Sequence, residues 1–302
     1  MSQVHHVCRL ATAEDIRKSS TLWGQDRPLF EAAVWTRVPG LLDELLRAEL
    51  IQLAYIESLP DREPRLLGGI SFIDPACVDE ARARGLTLPN TVFGAALEGR
   101  KPFLSPKEVG KQNSRGELHL MNFFGNFGNI DLSQSEMANF YEVSNQGYHF
   151  FHFGYAFRAL WMEVLAAHHL QELENQGMKI ERRLALATGE TATLLCMTRE
   201  WAKANPYFRR SGYFFPPSPR FGFSRGEQRL LEFSMLDVPD DRVATSLHLS
   251  VDAIKKRWRS IHAKVDSTDP GLLSKASSGA DRRKALLSYL RMHLEEIRPY
   301  CP

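Results

Sequence analysis

A group of basic residues near the C-terminal end of the chain is dense enough to act on a polyanion. The group consists of Lys255, Lys256, Arg257, Arg259 and Lys264, and the stretch 251–265 holds a single acid, Asp252. Ammonium and guanidinium groups bind phosphate oxygens, and they also donate to guanine O6 and N7 in the major groove of DNA. A run of charges is more often only the solvated face of a helix. The elements that position these side chains therefore decide between the two interpretations.

Apolar residues at helical spacing indicate that the basic group lies on one helix. Successive members of this apolar set are four, three and four residues apart, and they are Ile254, Trp258, Ile261 and Val265. This spacing places them on one buried stripe. Ser250 is a favoured N-cap residue, so a helix is predicted over 251–265. The basic residues cover the rest of its surface, as a helix in the major groove requires.

Two shorter helices are predicted before this one. Ser224 and Glu227 have the spacing of a capping box, in which the hydroxyl and the carboxylate each satisfy a free backbone N–H. The apolar face of this first helix is formed by Leu230, Leu231, Phe233 and Leu236. Pro239 ends it. A second helix begins at Pro239 or Asp240, its inner face is Val243, Ala244 and Leu247, and the turn after it is His248 and Leu249.

This three-helix pattern resembles the C-terminal DNA-binding domain of LuxR/FixJ/GerE-type regulators. The resemblance runs without a gap over residues 223–265, and the matching positions are Phe223, Ser224, Glu227, Leu230, Leu231, Pro239 to Ala244, Leu247, Leu249, Ser250, Ala253 to Lys255, Ile261, Lys264 and Val265. Four positions depart from the family pattern. Gly226, Asp237, Arg242 and Arg257 stand where Arg, Gly, Glu and His are usual.

The resemblance implies roles for individual residues. Base edges would be read by Lys255, Lys256 and Arg259. Backbone phosphates would be contacted by Arg257 and Lys264, with Thr245 and Ser246 as weaker candidates. Family members bind double-stranded DNA as homodimers on paired half-sites, so a symmetric operator is expected.

Composition shifts divide the chain into four parts. Residues 1–214 are predicted to form an α/β, or α+β, sensor domain, and residues 215–222 a short, stiff, Pro-rich linker. Residues 223–266 form the all-α helix-turn-helix domain. Residues 267–302 form a loop and a last helix from Asp281 to about Arg298, which would either dock on the sensor domain or pair with its copy in a dimer. A DNA contact by Arg282, Arg283 and Lys284 is the less favoured interpretation of its basic start.

Periodicity and breakers predict the elements of the first part. The predicted helices are Asp15–Trp23, Pro39–Glu49 and Ala156–Gln176. The predicted strands are Ile51–Ile56, Leu66–Ile73, Glu117–Phe124, Leu184–Leu186 and Thr191–Met197.

This first part weakly resembles the acetyltransferase-like (GNAT) fold at residues 9–15 and 205–213. GNAT enzymes need a Gly-rich loop that holds a pyrophosphate, and the stretch 154–158 has one glycine where two or more are expected. A sensing sandwich of the PAS or GAF type explains the sequence equally well.

Aromatic residues are dense between Phe123 and Trp161. Such density mostly builds a core, but it also suits an apolar ligand pocket. The candidate ligand-binding residues are Asn122, Phe124, Asn126, Tyr148, Phe151, Arg158 and Trp161. The histidines of this region (His149, His152, His168 and His169) have no Asp or Glu at ligand spacing, so no metal site is predicted.

The chain as a whole suits a cytoplasmic protein without a membrane segment. Net charge is +2, so positive charge is not a global property. The four cysteines are scattered, which argues against disulfides and a structural zinc site and suits a reducing compartment. The start of the chain has no apolar signal core, and charged and His residues interrupt the apolar stretch 148–170.

The expected function is therefore that of a sequence-specific transcriptional regulator, not an enzyme. No catalytic residue and no cofactor is predicted, and the absence of GxxxxGK[ST] excludes the large ATP-dependent members of the family. The N-terminal domain would sense a small ligand, apolar or aromatic, or a partner. Two alternatives stay open: an acyltransferase-like enzyme with an appended DNA-binding module, and a regulator that binds a protein and needs no ligand.

Overall fold

The computed structural model describes residues 5–127, 133–165 and 167–301. Up to residue 204, the described elements are β1 (His5–Leu10), α1 (Ala13–Lys18), α2 (Ser20–Trp23), α3 (Ala32–Trp35), α4 (Val38–Arg47), β2 (Ile51–Leu59), β3 (Glu63–Phe72), α5 (Ala76–Arg84), α6 (Leu88–Leu97), α7 (Pro106–Arg115), β4 (Leu118–Phe127), α8 (Gln134–His152), β5 (Phe157–Val164), α9 (Ala167–Asn175), β6 (Lys179–Ala185), β7 (Thr191–Thr198) and α10 (Arg199–Ala204). Short 3-10 helices span Gly24–Leu29 and Arg209–Phe214. These elements confirm the α/β prediction.

The strands form one seven-stranded mixed sheet in the order β1-β2-β3-β4-β5-β7-β6. Each pair of neighbours is antiparallel except β4 and β5, which run parallel from Leu118↔Phe157 to Asn122↔Met162. A parallel pair needs a long connection between its strands, and the 19-residue helix α8 belongs to it. In this strand order, the parallel pair of β4 and β5 lies in the middle of the sheet.

Helices cover both faces of the sheet, so two apolar layers form. On β5, Trp161 packs into the layer of α1 to α6, whereas Leu160 packs into the layer of α8 and α9. Successive residues of a strand point to opposite faces. A central strand covered on both faces is apolar almost throughout, so it lacks the alternation of apolar and polar residues by which a strand is recognised in a sequence.

The predicted helix Ala156–Gln176 is wrong for that reason. The segment is strand β5 followed by helix α9. Its nearly continuous run of apolar residues fits the spacing of a buried helix as well as that of a strand covered on both faces. The strand β1 and the helices α3, α5 to α8 and α10 were not predicted, and the other predicted N-terminal elements exist with shifted ends.

The C-terminal part contains four helices: α11 (Arg225–Met235), α12 (Asp240–Ser246), α13 (Val251–Thr268) and α14 (Gly279–Leu290). The first three confirm the predicted helices, including the capping box of Ser224 and Glu227 and the buried stripe from Ile254 to Val265. The last helix differs from its prediction. It is capped by Ser278 and ends at Leu290, and a short 3-10 helix spans Leu294–Ile297.

The turn between α11 and α12 contains Asp237, one of the four departures from the family pattern. Asp237, where Gly is usual, has φ 54°, a left-handed conformation that costs most L-residues about 1–2 kcal/mol and Asp less. Asp237→Gly is therefore expected to raise the free energy of unfolding by about 0.5 kcal/mol, measured by urea denaturation. Asp241→Gly, inside α12, should instead lower it by about 1 kcal/mol. A loss of stability in Asp237→Gly would contradict this account.

The tail after α14 attaches the helices to the sheet domain. Arg298 is 1% exposed, and its guanidinium donates to the backbone oxygens of Phe150 and Phe153 at the end of α8. Further along, Asn113 Nδ2 donates to Pro299 O at 2.8 Å. Of the two predicted placements for the C-terminal extension, docking on the N-terminal domain is the one observed. Residues 215–219 have no regular structure, and the linker over residues 215–222 stays a prediction.

Candidate functional site

The sheet opens where its parallel pairing stops. Pairing between β4 and β5 ends at Asn122↔Met162, although β4 continues to Phe127. A cavity of about 360 Å3 lies at this opening, and residues from both faces of the sheet line it. From the α8 side these include Cys8, Ser144, Tyr148, Phe151, His152, Leu173 and Arg210, and from the opposite side Asp26, Phe30, Pro89 and Glu163. This size is within the usual range for small-molecule sites.

The hydrogen bonds of His152 fix the orientation of Asn122 in the cavity wall. Burial lowers the pKa of His152 to about 3, so the ring is neutral and carries one N–H. Its Nδ1 lies 2.8 Å from Tyr148 O, which can only accept, so Nε2 is an acceptor. Asn122 Oδ1 lies 2.7 Å from Nε2, and because two acceptors cannot share a hydrogen bond, we turn the carboxamide over so that its NH2 faces the ring. The atom on the other side of the carboxamide, Nδ2 before this turn and the oxygen after it, has no hydrogen-bond partner.

Arg210 brings a positive charge to the same side of the cavity. The residue is 8% exposed, its Nη1 donates to Tyr148 Oη at 2.7 Å, and its Cζ lies 4.5 Å from the centre of the Tyr148 ring. No carboxylate among the described residues pairs with it. Burial raises the pKa of Tyr148 to about 12, so its hydroxyl keeps its proton. A guanidinium and a hydroxyl thus share this wall.

The acid Glu163 reaches the cavity wall from the opposite face of the sheet. Its side chain is fully buried, and its carboxylate accepts the backbone N–H of Leu88, the first residue of α6. A carboxylate at a helix N-terminus is favourable. Arg182 lies 3.7 Å away. Burial nevertheless dominates and raises the pKa of Glu163 to about 7.

The raised pKa of Glu163 predicts a pH dependence of stability. Because its folded pKa lies above the ordinary glutamate value of 4.5, ionisation opposes folding, and stability is lost as pH rises from about 4.5 through 7. Glu163→Gln should remove this loss, and it should raise the free energy of unfolding at pH 8 by up to about 3 kcal/mol. Urea denaturation at several pH values measures it. Glu181→Gln, on the exposed strand β6, is the control, and parallel pH profiles of wild type and Glu163→Gln would refute the expectation.

The candidate ligand residues separate into three groups. Asn122, Tyr148 and Phe151 line the cavity, as predicted. Arg158 and Trp161 do not: Arg158 is exposed in an ion pair with Glu200, and Trp161 donates from Nε1 to His119. Both residues precede Met162 on β5, in the part of the strand before its pairing with β4 ends. The side chains of Phe124 and Asn126 lie outside the described residues.

The structure adds two cavity residues that were not predicted as ligand-binding, Arg210 and His152. Arg210 reaches the cavity only because segments that are far apart in the sequence pack together. The residues next to it contain no pattern that would identify it as a cavity residue. Among the described residues, no group of three or more His, Cys, Asp or Glu side chains could hold a metal ion. The side chains of His168 and His169 are not among those described.

The stretch 154–158, which has one glycine where a phosphate loop is expected to have two or more, runs from the end of α8 into β5. Gly154 has φ +90°, and a Cβ there would lie 2.6 Å from the backbone N of Glu295. The glycine is therefore required by the close approach of the C-terminal tail, not by a ligand.

The predicted base-reading residues share an exposed face of α13. Lys255, Lys256 and Arg259 are exposed, and Lys255 makes only a surface ion pair with Asp252, at 3.2 Å. Thr245 and Ser246 on α12 are exposed as well. These side chains are free of the core and available to a partner.

The two predicted phosphate-contacting residues brace α13 against the start of α11. Lys264 Nζ lies 2.7 Å from the Glu227 carboxylate. Arg257 Nη1 donates to Gly226 O at 3.2 Å, and a Cβ at Gly226 would lie 3.0 Å from Arg257 Cζ. The departures from the family pattern at 226 and 257 are therefore coupled, because the glycine makes room for the guanidinium.

Comparisons with known proteins give a distant structural similarity to GNAT-type acyltransferases over about two thirds of the chain. FeeM, an N-acyl amino acid synthase from uncultured soil microbes, matches at 12% identity and TM-score 0.39, over 67% of this chain and 94% of its own. FdhC, a nucleotide-linked sugar GNAT, matches at 10% identity and TM-score 0.34, over 70% and 96%. The spermidine/spermine N-acetyltransferase SpeG from Vibrio cholerae matches at 8% identity and TM-score 0.37, over 66% and 98%.

Neither a family model nor a curated protein matches this chain. The LuxR-type resemblance of residues 223–265 therefore stays a prediction. A helix with the length and apolar character of a membrane span does not occur among the described residues.

Proposed function

We propose that this protein is a DNA-binding transcriptional regulator whose N-terminal domain binds a small molecule in the cavity between β4 and β5. The observation that carries the proposal is the form of α11, α12 and α13. Three capped or Pro-started helices bury one apolar stripe of α13 and leave Lys255, Lys256 and Arg259 exposed together on it. A helix of this character is suited to the major groove. The protein acts as a homodimer on two half-sites.

A physical connection between the cavity and the helices supports the regulatory part of the proposal. Tyr148, Phe151 and His152 of α8 line the cavity. The end of the same helix receives Arg298 through Phe150 O and Phe153 O. Gln228 of α11 in turn donates to Arg298 O at 2.7 Å. A ligand that moves the end of α8 would thereby change the position or the freedom of α11.

An ionic network holds the same helix from a second side. Arg225 and Arg229 of α11 both contact Glu49, which follows α4, at 2.9 and 3.2 Å. They also contact the buried Glu232. Burial would raise the pKa of Glu232, but Arg225, Arg229 and Arg298 hold it below its usual range. Two contact sets therefore set where α11 sits on the N-terminal domain.

Selection of duplexes by the full-length protein tests the proposal. Random double-stranded DNA is incubated with the protein at physiological salt, and bound duplexes are sequenced over several rounds. Enrichment of a two-fold symmetric motif is the expected result. No enrichment over an unrelated protein of similar charge would exclude the regulator, and a protein partner that is required for enrichment would favour the ligand-independent alternative.

An acyltransferase activity is the second candidate, and the opened sheet is the observation that favours it. Beyond Asn122, peptide groups of β4 face the cavity side without a β5 partner, and an extended acyl thioester could pair with them. The weak point is the catalytic base. Glu163 titrates near neutrality but is enclosed, and both His152 nitrogens are engaged. Thiol release from acetyl-CoA in the presence of amines would establish this activity, and its absence across an amine panel would exclude it.

A further inference from the structure

We propose that the cavity ligand is an amphipathic monocarboxylic acid, with its carboxylate held by Arg210 and Tyr148 and its apolar tail between the diverging strands. This inference rests on the proposed function and names the ligand class of the same cavity. The observation behind it is that the charged guanidinium of Arg210 is buried without an acidic partner. A guanidinium that is 8% exposed is costly without an anion nearby, yet no described carboxylate neutralises Arg210.

The donors at this wall have the geometry that a carboxylate needs. Arg210 uses Nη1 on the Tyr148 hydroxyl and keeps further N–H groups free, and a guanidinium binds carboxylates in a two-pronged fashion. The Tyr148 hydroxyl accepts from Arg210, so its own proton can point to a second acceptor. One cation and one hydroxyl match a single negative charge, not the two charges of a phosphate monoester.

Other charged groups around the cavity agree with this orientation of the ligand. On the Arg210 side, His152 is neutral because burial lowers its pKa. Glu172 is exposed at the rim. Asp26 and Glu163 line the opposite face of the sheet, and Glu163 is enclosed by its own partners. None of these acids forms an ion pair with Arg210, and among the described residues that line the cavity Arg210 is the one arginine or lysine.

The apolar part of the wall provides the place for the tail. Phe151, Leu173, Met162 and Val164 line the same cavity as Arg210. Burial of a methylene is worth about 0.8 kcal/mol. An acid with several methylenes or a phenyl ring therefore gains affinity from both ends, whereas acetate would gain from one.

Binding to the full-length protein without DNA tests the ligand class. Two matched sets are titrated by calorimetry and by thermal unfolding: octanoate, octanol and octylamine, and phenylbutyrate, phenylbutanol and phenylbutylamine. In at least one set the acid is expected to bind about 10- to 100-fold more tightly than its alcohol, and the amine more weakly than the alcohol. Equal affinities of acid and alcohol in both sets, or no binding by either acid, would overturn the proposal without involving any variant.

Variants then locate the carboxylate. Arg210→Gln is expected to reduce the acid-to-alcohol ratio to about 1, and Arg210→Lys, which keeps the charge and guards against a folding defect, should retain part of it. Arg158→Gln is the matched control, because this arginine is exposed on Glu200 and should leave the ratio unchanged. An acid preference that survives in Arg210→Gln overturns the proposal. DNA is absent from this assay, so its failure is distinct from a failure of duplex selection.

Discussion

Replacing Arg298 with alanine is expected to lower the free energy of unfolding by about 3–5 kcal/mol, the range found when one partner of a buried charged contact is removed. The guanidinium is 1% exposed and donates to Phe150 O and Phe153 O. These oxygens lie at the end of α8, where the last carbonyls of a helix have no partner within it. The cation also lies where the helix dipole is negative.

The loss has three physical parts. Two buried carbonyl oxygens lose their donors, at about 1–3 kcal/mol each in general. The guanidinium also lies over the rings of Tyr155 and Phe150, at 4.8 and 5.4 Å, so its removal leaves a cavity. Buried Glu232 loses one of the three arginines that favour its charged form.

Urea denaturation followed by circular dichroism and Trp fluorescence measures this prediction. Arg291→Ala is the matched control, since Arg291 is exposed seven residues earlier and should change stability by less than about 0.5 kcal/mol. Arg298→Lys should fall between wild type and Arg298→Ala, because an ammonium cannot reach both oxygens in the same plane. A stability change in Arg298→Ala below about 1 kcal/mol would show that the tail does not hold the helices.

Combined replacement of Lys255 and Arg259 with alanine is expected to weaken binding to the selected operator by about 100-fold or more. Each good contact to a guanine edge contributes about 1–3 kcal/mol of discrimination, and a tenfold loss corresponds to about 1.4 kcal/mol. Both side chains are exposed on α13, so the change removes interactions with DNA and leaves the buried stripe intact.

Fluorescence anisotropy with the selected operator and with a scrambled duplex, at several salt concentrations, measures this loss. Lys203→Ala is the control, because Lys203 is exposed on α10 in the other part of the protein. If the residues read bases, the loss is larger on the operator than on the scrambled duplex. An equal loss on both, with a salt dependence reduced by about one unit per residue, would assign them to phosphates. Unchanged operator affinity would contradict the assignment of α13 as the helix that contacts the bases.

The sequence alone determined the C-terminal helices well, because local rules place them. A capping box at Ser224 and Glu227, a proline at 239 and an N-cap at Ser250 each act within one helical turn, and all are present in the structure. The same rules account for Asp237, whose left-handed φ fits a position where glycine is usual in similar sequences. Proline disfavours helix and central strand regardless of context, and residues 215–219 have no regular structure.

Tertiary structure decided the rest. Segment 157–164 is a strand covered by helices on both faces, and the apolar pattern of such a strand could not be distinguished from that of a buried helix. The cavity exists because parallel pairing stops after Asn122, and its cation comes from Arg210, 88 positions later in the chain. The Arg298 contact likewise joins residues 145 and 148 positions apart. Such contacts depend on how distant segments pack, and no local pattern of residue types encodes that.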